Sequence, residues 1–382
     1  MTKLITYGRQ FIDKKDVIAV SRSLSDDKIT TGKKIDIFEN RLKKYFKSKY
    51  AAVCNSGTSA LFLALLSIDI KKNDKIIMPA INFISSYNLC KFLGADVYLA
   101  DVDNSTGQIT PDTIIECCNK NKISKLKAII VMYHGGNPKN AENFWKLKKK
   151  LNCFIIEDAC HALGSEYKFK KKYYKIGSCK HSDISTFSLH PLKSITTGEG
   201  GVVTTNSNEI LKKIILYRSH GIKRNKKKHW DYDILLNGFN LRLNDIQCAL
   251  GISQLKKIKS FIKKRSLISQ KYIEAFKNNP KLKVLEDDKN YKSSHHLFMM
   301  SCKNFSLKKK DSFFNYMYKN NIMLQYHYIP IYKFSVFKKK NKFKNSEKFY
   351  NTTFSLPIFY GLSDKDQNYI IDKTNKYFKF KK

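Results

Sequence analysis

No Cys-X-X-Cys pair occurs in this sequence, although it holds nine cysteines. That absence removes zinc-ribbon and thioredoxin-like chemistry. The odd cysteine count argues against a fully paired secreted framework, so the thiols are expected to be reduced, mostly buried and cytoplasmic. Long hydrophobic runs are missing too: the longest, residues 60–66, is far too short to cross a membrane. The opening MTKLITYGRQ lacks the apolar core of a signal peptide. Acidic residues are scarce, 32 against 72 Lys and Arg, which gives a formal net charge of +40. Such a balance invites a nucleic-acid partner. Yet no zinc finger, helix-turn-helix or RNP-type aromatic motif accompanies it. The lysines fall in short runs, at 148–150, 170–172, 226–228 and 338–340, which reads as a solvated surface. Neither a nucleic acid nor a membrane is therefore expected as a partner. His295 and His296 near Cys302 lack a third and fourth ligand at usable spacing, so no metal is expected.

What the sequence does contain is a regular alternation. Short β-branched runs at 51–54, 75–78, 96–100, 128–132, 153–157, 183–187 and 201–205 alternate with helical stretches, the pattern of an α/β domain with a largely parallel sheet. Ile35, Phe38, Leu42 and Tyr45, spaced by three and four, make one apolar face of an early helix. From Asn244 a long helical pattern leads into a last third with its own strand at 297–302 and helix at 307–320. A chain of 382 residues exceeds what one hydrophobic core usually supports. The expected division is a large domain over 1–250, with an N-terminal arm, and a smaller one over 251–382.

Three stretches carry chemistry. In SLHPLKSITTGEGG, residues 188–201, Lys193 stands two residues after Pro191 and ahead of a glycine-rich exit. A nucleophilic lysine needs such a constrained backbone, and lysine is the side chain that forms Schiff bases with carbonyls and with pyridoxal phosphate. Asn55-Ser-Gly-Thr-Ser59, containing Gly57 and Thr58, follows a strand and opens a helix whose first amides suit a phosphate or, equally, a plain Ser/Thr cap. No Gly-Lys follows, so it is not a Walker loop. In EDACH, residues 157–161, Asp158 ends a very apolar strand. A carboxylate there needs a cation or donors; a protonated pyridine nitrogen would supply one, and a structural partner would serve as well.

With these residues in view the sequence resembles the DegT/StrS sugar aminotransferases over nearly its whole length. SLHPLKSITTGEGG is similar to the family's cofactor-lysine segment, NSGTSAL to its phosphate loop and EDACHALGSEY to its pyridine-contacting strand. RSHGI at 218–222, GFNLRLNDIQCALGISQL at 238–255 and QYHYIPIY at 325–332 resemble the branch that aminates a UDP-linked 4-keto-6-deoxy sugar in pseudaminic acid biosynthesis. The resemblance implies the fold type I of pyridoxal-phosphate-dependent transferases: a large domain with a mostly parallel sheet plus a smaller C-terminal α/β domain.

Carried onto this sequence, the resemblance implies that pyridoxal 5'-phosphate attaches to Lys193. Asp158 would meet the pyridine nitrogen and His161 the phenolic oxygen. Phe83 would stack on the ring, while Gly57, Thr58 and Ser188 contact the phosphate. Asn240 would arrive from a neighbouring subunit, which implies a homodimer with shared sites. Tyr7, Lys28 and Thr30 within the segment 27–30, and Gln325, Tyr326, His327 and Tyr328, would face the nucleotide sugar. L-Glutamate is the implied amino donor. Leu189 stands where the family generally has Phe, and Met132 and His134 flank Tyr133 where other residues are expected. The related dehydratase branch replaces the lysine with histidine, whereas Lys193 is present here. The alternatives are an aminotransferase for another nucleotide-linked keto sugar, or a basic nucleic-acid-binding or regulatory protein that keeps the fold without catalysis.

Overall fold

The computed structural model describes residues 4–225, 227–228, 230–285, 290–303, 305–337 and 343–379. Lys226 and the run 338–340 among the lysine clusters lie outside them.

All seven β-branched runs become strands of one sheet, each within a residue of its expected ends: β1 (Tyr50–Cys54), β2 (Lys75–Pro79), β3 (Asp96–Ala100), β4 (Ala128–Met132), β5 (Phe154–Asp158), β6 (Ile184–Ser188) and β7 (Gly201–Thr205). Their order across the sheet is β1-β7-β6-β5-β4-β2-β3. Pairing is parallel from β6 through β5, β4 and β2 to β3, and only β7 runs against its neighbours, β1 and β6. The reversal has a local cause. Between β6 and β7 the chain has a loop of twelve residues and no crossover helix, so it returns antiparallel along the strand it has just left.

The sheet is apolar on both faces because helices cover both. On one side lies the helix Gly57–Ser67, whose sequence GTSALFLALLS has no polar flank and is buried nearly all round. On the other, the helix Lys33–Phe46 inserts Ile35, Phe38 and Leu42 as expected; its fourth core residue is Phe46, and Tyr45 packs only partly against the core.

The long helix Asp245–Phe276 is capped by Asn244, which accepts from the Gln247 amide at 2.8 Å. Its first half gives Cys248, Leu255, Ile258 and Phe261 to the core of the large sheet. The second half gives Ile268, Tyr272, Ala275 and Phe276 to another core, so one rigid helix spans both. That second core packs under an antiparallel sheet of Leu282–Val284, Phe298–Cys302 and Thr353–Leu356, with the helices Leu307–Lys319 and Asp364–Tyr377 on it. The N-terminal arm crosses back: Ile5 pairs with Ile322, and the helix Lys14–Ser23 lies along the long helix. Asp16 fixes it there, fully buried, accepting from Gln254 at 2.7 Å and pairing with Lys257 at 2.5 Å. The nine cysteines are free and all but Cys160 are buried. Among the described residues no helix is long and apolar enough to cross a membrane.

Candidate active site

The carboxyl ends of β1, β5 and β6, with the turns after β2 and β4, open into a cavity of about 590 Å³. This is the edge of an α/β sheet at which ligands bind. Lys193 projects from the β6–β7 loop, which is stapled by short-range bonds. The Leu189 amide donates to the Gly200 carbonyl at 2.8 Å, and the Leu189 carbonyl accepts from the Thr197 amide and the Thr196 hydroxyl, both at 3.0 Å. The glycine exit has a steric reason as well. A Cβ on Gly201 would stand 2.1 Å from the Ser56 carbonyl, so only glycine lets the loop meet the phosphate-type turn.

Strand alternation separates the two acids of EDACH. Glu157 turns into the core, where it accepts from Tyr133 at 2.8 Å and from Ser185. Asp158 turns to the cavity, only 2% exposed, with the Cys160 amide donating at 3.3 Å. Burial pushes its carboxyl above the usual range, while Cys160 and the charge of Lys193 oppose that. The Lys193 amine is pushed below its usual range by burial, against the pull of Cys160 and Asp158. A lysine so shifted spends more time neutral, the form in which it is a nucleophile and a base.

The helix start after β1 presents a second polar feature. Ser56 accepts from the Ser59 amide at 3.0 Å, and the Ser59 hydroxyl donates to Asn55 at 2.6 Å. The amides of Gly57 and Thr58, in the first turn, have no intrahelical acceptor, and the helix dipole favours an anion there by ~0.3 to 1 kcal/mol. A Cβ on Gly57 would lie 2.7 Å from that of Ser188, so the two segments touch as backbone against side chain.

A cluster of histidines and tyrosines closes the cavity from the other side. His161 accepts from the Gly135 amide at its Nδ1 (3.4 Å) and sits 2.8 Å from the Tyr328 hydroxyl at its Nε2. Burial, then His296 and Lys193, pull its pKa well below the usual value, so the ring is neutral. With Nδ1 accepting, the proton sits on Nε2 and points at Tyr328, which leaves the Tyr328 proton free for another acceptor. His296 lies 4.2 Å from His161, ring to ring. Behind it the buried Arg265 donates to the His296 carbonyl at 3.2 Å and the Ile358 carbonyl at 2.9 Å. His327 shares a hydrogen bond with Ser355 at 2.9 Å and meets Tyr7 edge-on at 5.7 Å.

Lys193, Gly57, Thr58, Asp158, His161 and Ser188 therefore share one cavity. Phe83, half exposed, lines it, as do Tyr7, Gln325, His327 and Tyr328. Tyr326 also touches it, but its hydroxyl donates to Asp311 at 2.7 Å, so its polar end is engaged elsewhere. Lys28, Thr30 and Asn240 are exposed and stand outside the cavity of their own chain. Sequence reasoning missed Asn82, Cys160, His190 and His296, all of which line the cavity. Asn82 sits directly before Phe83 after a strand end, a position that marked it; His296 comes from the C-terminal third, with no local sign. Of the family departures, Met132 lines the cavity and His134 stacks on Tyr328, whereas Leu189 is buried in the core and shapes no part of it.

The model of the DegT/DnrJ/EryC1/StrS aminotransferase family matches residues 10–375. This chain belongs to that family. A UDP-4-amino-4,6-dideoxy-N-acetyl-beta-L-altrosamine transaminase from Campylobacter jejuni is 38% identical over 372 residues, 97% of this chain and 96% of the relative. Among solved structures, Helicobacter pylori PseC, an aminotransferase involved in the biosynthesis of pseudoaminic acid, superimposes with a TM-score of 0.91 at 32% identity, covering 99% of this chain and all of that one. The PLP form of Spr1654 from Streptococcus pneumoniae gives a TM-score of 0.90 at 25% identity, over 98% of this chain and 99% of that one. As a DegT/DnrJ/EryC1/StrS aminotransferase the protein is an enzyme of fold type I, and its cofactor is pyridoxal phosphate. The residues present fit that group: a buried carboxylate in want of a cation, a lysine held beside it and an anion-ready helix start.

Proposed function

We propose that the protein transfers the amino group of L-glutamate to the 4-keto position of a UDP-linked 4-keto-6-deoxy-N-acetyl hexose, in pseudaminic acid biosynthesis. The observation that carries this reading is the 38% identity, along almost the full length of both chains, to a transaminase named for that class of sugar. The cavity is consistent with it: one wall is built for a cofactor and the other offers hydroxyls, imidazoles and rings.

When bound, pyridoxal phosphate supplies an electron-withdrawing ring that stabilises a carbanion beside the transferred nitrogen. The chain's own residues divide the remaining work. Lys193 would hold the cofactor's aldehyde group, and its amine, pushed toward the neutral form by burial, would move the proton as general base and then general acid. Asp158, with burial making its charge costly alone, would pair with the pyridine nitrogen and hold a proton there. Gly57, Thr58 and Ser188 would take the phosphate, Phe83 would cover the ring and His161 would meet the phenolic oxygen. Tyr7, Gln325, His327 and Tyr328 face the sugar, whose hydroxyls meet their polar ends and whose apolar face meets their rings.

The same reading makes the enzyme a cytoplasmic homodimer. Asn240, Lys28 and Thr30 are exposed on neighbouring loops, because Asp245 ties the 29–34 turn to the start of the long helix: its carboxylate accepts from Gly32 at 2.8 Å and Lys34 at 2.9 Å. Around Asn240 the surface is unusually apolar, with Trp230, Tyr232, Ile234, Leu235 and Phe239 exposed. A second copy would cover that surface and receive Asn240 at its phosphate site and Lys28 and Thr30 at its sugar. Glutamate-dependent amination of the β-L-arabino-configured UDP sugar, compared by kcat/KM with its D-xylo epimer and a dTDP analogue, tests the substrate. The first should be clearly preferred; preference for either of the others retires this sugar and leaves a broader nucleotide-sugar aminotransferase.

A further inference from the structure

Behind the 325–328 segment the helix Leu307–Lys319 buries a lysine that amino transfer does not use. Lys310 is 0% exposed. Its ammonium lies 4.2 Å from the ring centre of Tyr326 and 4.3 Å from that of Tyr350, and it donates to the Tyr350 carbonyl. Two ring faces and one carbonyl thus surround the charge. Asp311, next on the helix, accepts from the Tyr326 hydroxyl at 2.7 Å, and Phe314, one turn on, packs its ring 4.4 Å from that of Tyr326. Three residues of one helix grip a single side chain of the cavity-lining segment.

The neighbours of Tyr326 are free of that grip and turned to the cavity. Gln325 is held by its backbone to the edge of the strand Thr353–Leu356, its carbonyl accepting from Ser355 at 3.1 Å, and the His327 ring bonds to the Ser355 side chain. The segment is therefore pinned on two sides, with Tyr326 linking it to the helix described above. We propose that Lys310 is a positioning residue: by clamping Tyr326 it sets Gln325, His327 and Tyr328 at the angle from which they meet the sugar. This rests on reading the cavity as a nucleotide-sugar site.

The clamp also responds to pH. Facing the ammonium are Asp311 on its own helix and the phenols of Tyr326 and Tyr350; beyond the Tyr350 ring lies Lys333, 5.6 Å from its centre and paired with Glu347 at 2.8 Å. Burial pushes the Lys310 amine down to about 7, with Asp311 opposing. The cation is present below neutrality and lost above it, so the ring contacts weaken as pH rises.

Steady-state amination by the holoenzyme at pH 6.5 and 8.5 tests this. The KM for the UDP sugar in the unmodified enzyme should rise roughly five- to tenfold between the two, the loss of about one cation–π contact. Lys310→Met, which keeps the stem and removes the charge, should show the high KM at both pH values, with kcat and the half-reaction with glutamate unchanged. Hydrogen exchange of the peptide spanning 324–330, at pH 6.5 without any sugar, should be faster in Lys310→Met. Tyr326→Phe, which loses only the bond to Asp311, should shift it less and in the same direction. Unchanged exchange in Lys310→Met, or a pH dependence of KM that the variant keeps, overturns the clamp. Faster exchange in a protein that aminates no UDP sugar keeps the clamp and retires the sugar instead.

Discussion

Asp158 stands at a strand end of the large sheet and Lys193 in the loop between two of its strands, whereas His296, His327 and Tyr328 reach the same cavity from the C-terminal third. The first wall is positioned by ladder hydrogen bonds and by a loop closed on itself within twelve residues. The second has one backbone bond to a strand edge, from Ser355 to Gln325, and is otherwise positioned by side chains of distant segments: Arg265 behind His296, Ser355 beside His327, Lys310 behind Tyr326. A wall built from backbone tolerates little change in its chemistry, because the sheet that fixes it is shared by the whole domain. A wall built from side chains can be retuned one residue at a time, which suits the part that distinguishes one sugar from another.

The sharpest way to break this contrast is to damage the backbone-built wall from both sides of the proposed dimer. Lys193→Ala should lower turnover by about 10⁴-fold, the upper end of what a proton-moving side chain contributes. Asn240→Ala should weaken cofactor retention while leaving Lys193 in place. Mixing the two variants should restore part of the activity, because one site of the mixed dimer then receives intact residues from both chains. Mixed dimers that form and stay inactive would show that Asn240 acts within its own chain.

A smaller effect is expected on the other wall. His327→Ala should cost roughly 1 to 3 kcal/mol in kcat/KM for the sugar, the penalty of leaving a buried polar partner unpaired. The half-reaction with glutamate should survive, since His327 is assigned to the sugar. Rapid mixing with glutamate alone and steady-state kinetics with the sugar separate the two, and an equal loss in both would merge the walls into one unit.

The same contrast explains what could be seen in the sequence. The seven strands were legible because each is a short β-branched run with a period set by the backbone; Asp158 closes one such run, and Gly57 and Lys193 lie in the segments that follow two others. The hairpin Glu166–Phe169 with Lys172–Lys175 was not, since each strand has four residues and Tyr167, Phe169 and Tyr174, which pack on the core, stand among lysines. Nor was the helix Lys14–Ser23, whose only deeply buried side chains are Asp16 and Ser23 and whose place is decided by Gln254 and Lys257. His296 read as one of a pair of ordinary histidines, because what gives it a role is Arg265, thirty-one positions away, and His161 across the cavity. Lys310 was one lysine among many; only the rings of Tyr326 and Tyr350 set it apart.

Borohydride reduction of the purified holoenzyme, followed by peptide mapping, tests most directly that Lys193 is where this aminotransferase holds its cofactor. The protein should absorb in the visible, lose that band on reduction and carry a single pyridoxyl mark on the peptide containing Lys193. A mark on another lysine, or a colourless protein that pyridoxal phosphate does not reconstitute, would contradict it.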